Sequence, residues 1–359
     1  LYIVLFFASI VISALGIFFS DDIFRLIQLP EDVLPDASLY MKIYISGMVF
    51  FFGFNGTAAI LRGLGDSKTP LYFLVISTIT NVIFDLLFVI VFKWGIAGVA
   101  IATILSQGGA FLTAIFYLNR THAVVRFSMS RLNFDRAIFR QSLRIGLPSG
   151  FQQTFVSLGL IAIVWIVNLF GTDVIAAFSI AMRIDSLAAM AAMNFAAALA
   201  TFVGQNLGAN KPERVRSGLV ATFWMTSIIS VIITIIALLF SRDLMGIFTN
   251  DQNVIRIGAN YLIIVSSFYI LFSTMFVLNG VMRGAGDTLI PMFITLIALW
   301  FVRIPLSYFL SQQIGETGIW WAIPIGWFLG MLLSWFYYLK GRWKTKAVVK
   351  YDQKDRITD

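Results

Sequence analysis

Long apolar runs alternate with short polar breaks along the whole chain. A helix needs about 17–25 apolar residues to cross a hydrocarbon core. Ten stretches qualify, at roughly 1–19, 38–61, 70–92, 97–118, 145–169, 174–203, 218–240, 257–282, 289–311 and 318–339. Each is bounded by Asp, Gly, Pro or basic residues, and none keeps a two-residue alternation. The pattern therefore predicts helices and not a barrel. The expected fold is an all-α polytopic membrane protein.

Composition agrees with that pattern. Hydrophobic residues make up 59% of the 359 and charged residues only 12%, where a soluble domain keeps about a quarter of its residues charged. Cysteine is absent, which excludes disulfides, thiolate metal sites and a cysteine nucleophile. The single histidine, His122, lies among arginines in a polar stretch, so neither a histidine metal site nor a catalytic triad is expected. No cofactor is called for.

The net charge of +8 acquires meaning from its distribution. If the segment after Lys340 is cytoplasmic, alternate loops should be rich in Lys and Arg. The predicted inner segments hold nineteen basic residues and the outer ones five, with Arg183 and Arg303 left inside spans. The predicted outer loop at 20–37 is acidic instead, with Asp21, Asp22, Glu31, Asp32 and Asp36. The basic excess thus reads as topology, with the carboxyl terminus cytoplasmic and anionic lipid contact a minor addition. A nucleic-acid partner is not expected.

The chain also repeats itself. Arg62-Gly63-Leu64-Gly65-Asp66 with Pro70 recurs as Arg283-Gly284-Ala285-Gly286-Asp287 with Pro291, an offset of 221 positions. The same offset pairs Phe19-Ser20 with Phe240-Ser241, Asp22 with Asp243 and Tyr40 with Tyr261. Register kept across loops marks a duplicated unit. Both tyrosines are expected at the bilayer interface, where amphipathic rings are favoured. By the offset, the counterpart of about 132–221 would lie upstream of Leu1. That predicts twelve helices in two pseudo-symmetric six-helix bundles, ten of them present here. The expected lobes are 1–118 and 145–339, joined by a polar linker at 119–144 and followed by a basic tail at 340–359. An even helix number per unit relates the halves by an axis along the membrane normal, an arrangement transporters use around a central cavity.

Of eighteen acidic residues, only Asp85 and Asp185 fall within apolar spans. A carboxylate at mid-bilayer costs about 2.5–3.5 kcal/mol on insertion scales. Asn81, one turn before Asp85, shares its helical face. Thr103 stands as far into the next, descending helix as Asp85 stands from the end of its own, about 10–12 Å at 1.5 Å per residue. One carboxylate with neutral oxygens suits sodium, a hard cation, and would equally hold a proton. The alternative is a structural carboxylate bonded to Asn81 or to a neighbouring helix. Arg183 and Asp185, two residues apart, cannot face each other on a helix. They read as interhelical or cavity charges, as does Arg303 beside the expected kink at Pro305. The Arg-Gly-x-Gly-Asp loops read as helix ends, with glycine in the left-handed region and Asp capping the next helix. They lack the Lys-Ser/Thr ending of a phosphate loop.

Several motifs together resemble one family, the multidrug and toxic compound extrusion (MATE) transporters. The two Arg-Gly-x-Gly-Asp loops resemble those after that family's fourth and tenth helices, and Gly146-Leu147-Pro148 resembles the opening of its seventh. Ala181-Met182-Arg183-Ile184-Asp185 and Gly204-Gln205-Asn206-Leu207-Gly208-Ala209 resemble its eighth helix and following loop, and Arg303-Ile304-Pro305-Leu306 its eleventh. The resemblance implies export of amphipathic, often cationic, compounds against an inward flow of protons or sodium ions, across a membrane expected to be the bacterial cytoplasmic one. The lipid bilayer and small-molecule substrates are then the partners, with no obligate protein partner. It also implies an amino-terminal cation site formed by Asn55, Asn81, Asp85 and Thr103, with the family's first-helix Asp lying upstream. Family members with a carboxyl-half cation site carry acids on the seventh and tenth helices. Residues 145–169 and 257–282 hold none, and Gln152 and Gln153 are the polar candidates for lining a cavity there. A lipid-linked oligosaccharide flippase shares the architecture but calls for more intramembrane cations. A membrane-embedded enzyme would need a catalytic constellation that is missing.

Overall fold

The structure, a computed structural model, describes residues 1–26, 29–121 and 134–346. His122 and the end of the basic tail lie outside them. All regular elements among the described residues are helical. The chain divides into two compact units, Leu1–Ser142 and Leu143–Asp359.

The first unit contains α1 (Tyr2–Phe18), α2 (Ser20–Leu26), α3 (Leu34–Ser46), α4 (Met48–Gly63), α5 (Lys68–Leu86) and α6 (Gly95–Thr121). A π-helical turn, Leu87–Val91, extends α5. In the second unit lie most of α7 (Arg136–Asn168), then α8 (Thr172–Gly208), α9 (Glu213–Gly246), α10 (Gln252–Ser266), α11 (Tyr269–Gly284) and α12 (Leu289–Leu296). A π-helical stretch, Ile297–Arg303, links α12 to α13 (Ile304–Ile314), and α14 (Glu316–Leu339) follows. Seven single helices are long and apolar enough to cross a membrane, or ten spans if each of three bent helix pairs counts as one. Those ten coincide with the ten apolar stretches of the sequence.

The bent pairs are α1–α2, α3–α4 and α10–α11, turning by 61°, 48° and 50°. The breaks obey the repeat. Phe19 interrupts α1–α2, and its counterpart Phe240 is the one non-helical residue inside α9. Gly47 separates α3 from α4, and its counterpart Phe268 lies between α10 and α11. A break frees carbonyls that hydrocarbon cannot satisfy. Ser13 Oγ on α1 donates to Ile45 O at 2.6 Å, and Thr234 Oγ1 on α9 donates to Ser266 O at 2.6 Å. These are repeat-related hydroxyls on repeat-related carbonyls.

The Arg-Gly-x-Gly-Asp turns end α4 and α11 alike. Gly65 and Gly286 take φ of +93° and +83°, and the amide of the following Asp reaches back to Leu61 O and Met282 O, both at 2.9 Å. Asp66 Oδ1 accepts the Thr69 amide at 3.0 Å, capping α5. Tyr117 donates to Asp66 and Tyr337 to Asp287. These loops are built as helix-ending turns.

Packing in the second unit relies on close backbone approach. A Cβ on Gly280 would stand 2.6 Å from Ala196 O, and one on Gly284 2.4 Å from Ala200 O. Small residues four apart on α11 thus meet small residues four apart on α8, a common way for helices to associate in lipid. Two expectations change. Tyr261 is buried in the core against Phe178 and Trp320, not at an interface, because α10 is covered by α8, α9 and α14. The stretch read as linker is helical from Arg136 onward, where Asp135 Oδ1 caps α7 through the amides of Ala137 and Ile138.

Candidate functional site

Each unit carries one intramembrane carboxylate. In the first unit, α5 packs along α6, and that pairing brings Asn81 against Thr103. Asn81 Nδ2 donates to Thr103 Oγ1 at 3.4 Å, and Thr103 Oγ1 donates to Val99 O at 3.0 Å. Asp85 stands one turn beyond Asn81 and half-buried. Its Oδ1 is enclosed and has no hydrogen-bond partner among the described residues. Asn81 therefore turns to Thr103 and not to Asp85. Asn55 is not drawn into this group. It is exposed on α4 and donates back to Phe51 O at 2.8 Å. Among the described residues no three metal-ligating side chains cluster, so a cation here would rest on one carboxylate and neutral oxygens.

In the second unit, five helices surround a cavity of about 360 Å³. Two of them, α8 and α11, contribute stripes at helical spacing. From α11 come Phe272, Met275, Phe276, Asn279 and Arg283; from α8, Met182, Asp185, Ala189 and Met193. Gln152 on α7 organises one end. It donates to Thr295 Oγ1 at 2.6 Å and Pro291 O at 3.2 Å, and accepts from Arg283 at 2.7 Å. Gln153 also lines the cavity and is exposed. Asp185 is approached by the hydroxyls of Tyr261, at 3.5 Å, and Tyr269. Arg303 lines the same cavity from the π-helical stretch, with its Nε enclosed and unpaired. Arg183 faces away and is exposed, as the two-residue spacing from Asp185 requires.

Sequence reasoning missed Arg283, Tyr261 and Tyr269 as parts of a polar interior. Arg283 was counted with an inner loop, yet Asn279 and Arg283 are one turn apart on the face of α11 that carries Met275 and Phe276. That periodicity was the available signal. Tyr261 matches Tyr40 across the repeat. Of the two, only Tyr261 has a hydrogen bond to its unit's carboxylate, Asp185, among the described residues, and the two carboxylates are not repeat-related.

The comparisons agree with this architecture. The family profile MatE matches residues 1–87 and 148–309. The chain is 35% identical over 337 residues to Probable multidrug resistance protein YpnP of Bacillus subtilis (strain 168), covering 94% of this chain and 75% of that protein. It is 30% identical over 357 residues to Probable multidrug resistance protein YoeA of the same organism, covering 97% and 77%. A crystal structure of MATE in the straight conformation superposes with a TM-score of 0.88 at 21% identity, over 96% of this chain and 78% of that one. With a profile matched over most of its length and relatives at this identity, the chain belongs to the multidrug and toxic compound extrusion family of transporters.

Proposed function

We propose that the protein exports amphipathic small molecules by alternating access, with export coupled to inward movement of protons or sodium ions at Asp85. One observation carries this reading. Asp85 is the only acidic residue in an apolar span of the first unit, and one of its oxygens is enclosed without a partner among the described residues. A carboxylate so placed has unspent capacity to accept a proton or to ligate a cation. Asn81 and Thr103 bring further oxygens to the same level of the helix pair. Asn55, bonded to its own helix, is the member of the set that stands apart from this pair. The domains in this reading are lobes at 1–118 and 145–339, joined by the 119–144 segment. The chain sits in a bacterial cytoplasmic membrane with its carboxyl terminus inside.

Coupling requires the ion and the exported compound to bias one conformational equilibrium in opposite directions. Occupation of Asp85 repacks the first lobe and weakens the hold on the exported compound in the outward-open state. The test is efflux from vesicles carrying the protein, with proton and sodium gradients imposed separately and a panel of amphipathic dyes of either charge. One of the two gradients should drive accumulation. Transport that ignores both would end the coupled reading.

A further inference from the structure

The cavity of the second unit carries more positive than negative charge, and its charges are unequally satisfied. Asp185 is met by two tyrosine hydroxyls. Arg283 gives one donor to Gln152 and keeps an enclosed, unpaired Nε. Arg303 is half-buried with its Nε enclosed, and its guanidinium makes no hydrogen bond and no ion pair within 4.0 Å among the described residues, Asp185 included. A buried cation left without an acceptor is costly, and guanidinium groups present a fork that matches a carboxylate. The backbone delivers Arg303 to this place through a π-helical stretch, a local distortion found mostly at functional positions. Opposite it, Gly326 leaves room that a side chain would take, since a Cβ there would stand 3.1 Å from that of Arg303.

We propose that this cavity is a binding site for an amphipathic organic anion, whose carboxylate or similar acidic head pairs with Arg303. The apolar body lies against Phe272, Trp327 and Met275, which line the same space. A volume of about 360 Å³ accommodates a fused-ring body with a short acidic arm. Arg283 stands beside Thr295 through their shared partner Gln152, eight residues before Arg303. Both arginines line the cavity and repel a cationic head. The inference names a substrate class for the export reading and rests on that reading only for the claim that the bound compound is then exported. Binding itself is read without any ion gradient, so its failure leaves coupling at Asp85 untouched.

The experiment is scintillation-proximity binding of radiolabelled naphthylacetate to the purified full chain in nanodiscs of neutral lipid. Unlabelled naphthylacetate and naphthylmethylammonium serve as competitors with one apolar body and opposite charge. The carboxylate should compete at least about tenfold more strongly than the ammonium, as expected of a charge-assisted contact. Arg303→Gln should weaken binding by about the same factor while Arg303→Lys keeps most of it, because the charge survives although the fork is lost. Asp185→Asn removes the carboxylate that lines the cavity and should strengthen binding of the anion, which separates this site from one in which Arg303 serves only to neutralise Asp185. The proposal is overturned if the ammonium competes as well as the carboxylate, or if Arg303→Gln binds like wild type. Should Arg303→Gln fail to fold, the competition on the wild-type chain decides alone.

Discussion

Asp85 and Arg303 raise one physical question with opposite signs, since each holds a charged side chain in an apolar span with an enclosed atom unpaired. A side chain kept under that penalty is explained by what it receives. For Asp85 the neighbours set the expectation. Thr103→Val keeps shape and removes an oxygen, so it should raise the cation concentration for half-maximal transport several-fold, while the loss of the Asn81 contact lowers thermal stability only modestly. Asn81→Ala should act in the same direction. Asn55→Ala should change it least, because that amide is already spent on Phe51 O, and ion-dependence curves of the three variants check the order. Gln152 is the structural counterexample. It satisfies Thr295, Pro291 and Arg283 at once, so Gln152→Leu should cost about 1–3 kcal/mol of stability, read as a lowered unfolding temperature in detergent. Asp85 was legible in the sequence because a lone acid in an apolar run stands out by itself. Arg283 was not, because its motif reads as a loop while its side chain belongs to a helix stripe. The partners of Asp185 were illegible for another reason, since Tyr261 and Tyr269 lie more than seventy positions downstream and only packing brings them near.

At the scale of elements, the helices were readable from apolar run lengths and their bends were not. No proline marks Phe19, Gly47, Phe240 or Phe268, and only Ser46-Gly47 offers a glycine–serine pair as a local signal for a break. What fixes the bends is a contact between neighbours. Ser13 and Thr234 supply hydroxyls to carbonyls that a straight helix would have paired internally. Thr234→Val should therefore leave the Ser266 carbonyl unmet in an apolar setting and destabilise the second unit by about 1–3 kcal/mol, whereas Thr234→Ser should be near neutral. Hydrogen exchange across α10 and α11 would localise the loss. The α8–α11 seam is a second such constraint. Gly280→Val would drive a side chain into the Ala196 backbone, at a cost of about 1–3 kcal/mol or more, visible as a lower unfolding temperature and reduced yield of folded protein.

Taken whole, the molecule is a transporter in which duplicated segments have kept their breaks, turns and capping residues while their polar interiors have diverged. The first unit holds a carboxylate with neutral oxygens beside it. The second holds two arginines, a carboxylate between tyrosines, and a cavity with aromatic walls. Such divergence suits an antiporter, which needs one place for a driving ion and another for its cargo. In the proposed function the conversion of ion movement into export rests on Asp85, and one measurement tests that most directly. Purified wild type and Asp85→Asn would be reconstituted into liposomes and assayed twice, for exchange of labelled substrate at equal concentrations and for uphill accumulation under the driving gradient. The account predicts that Asp85→Asn keeps exchange and loses accumulation. Accumulation at the wild-type rate by Asp85→Asn would contradict it.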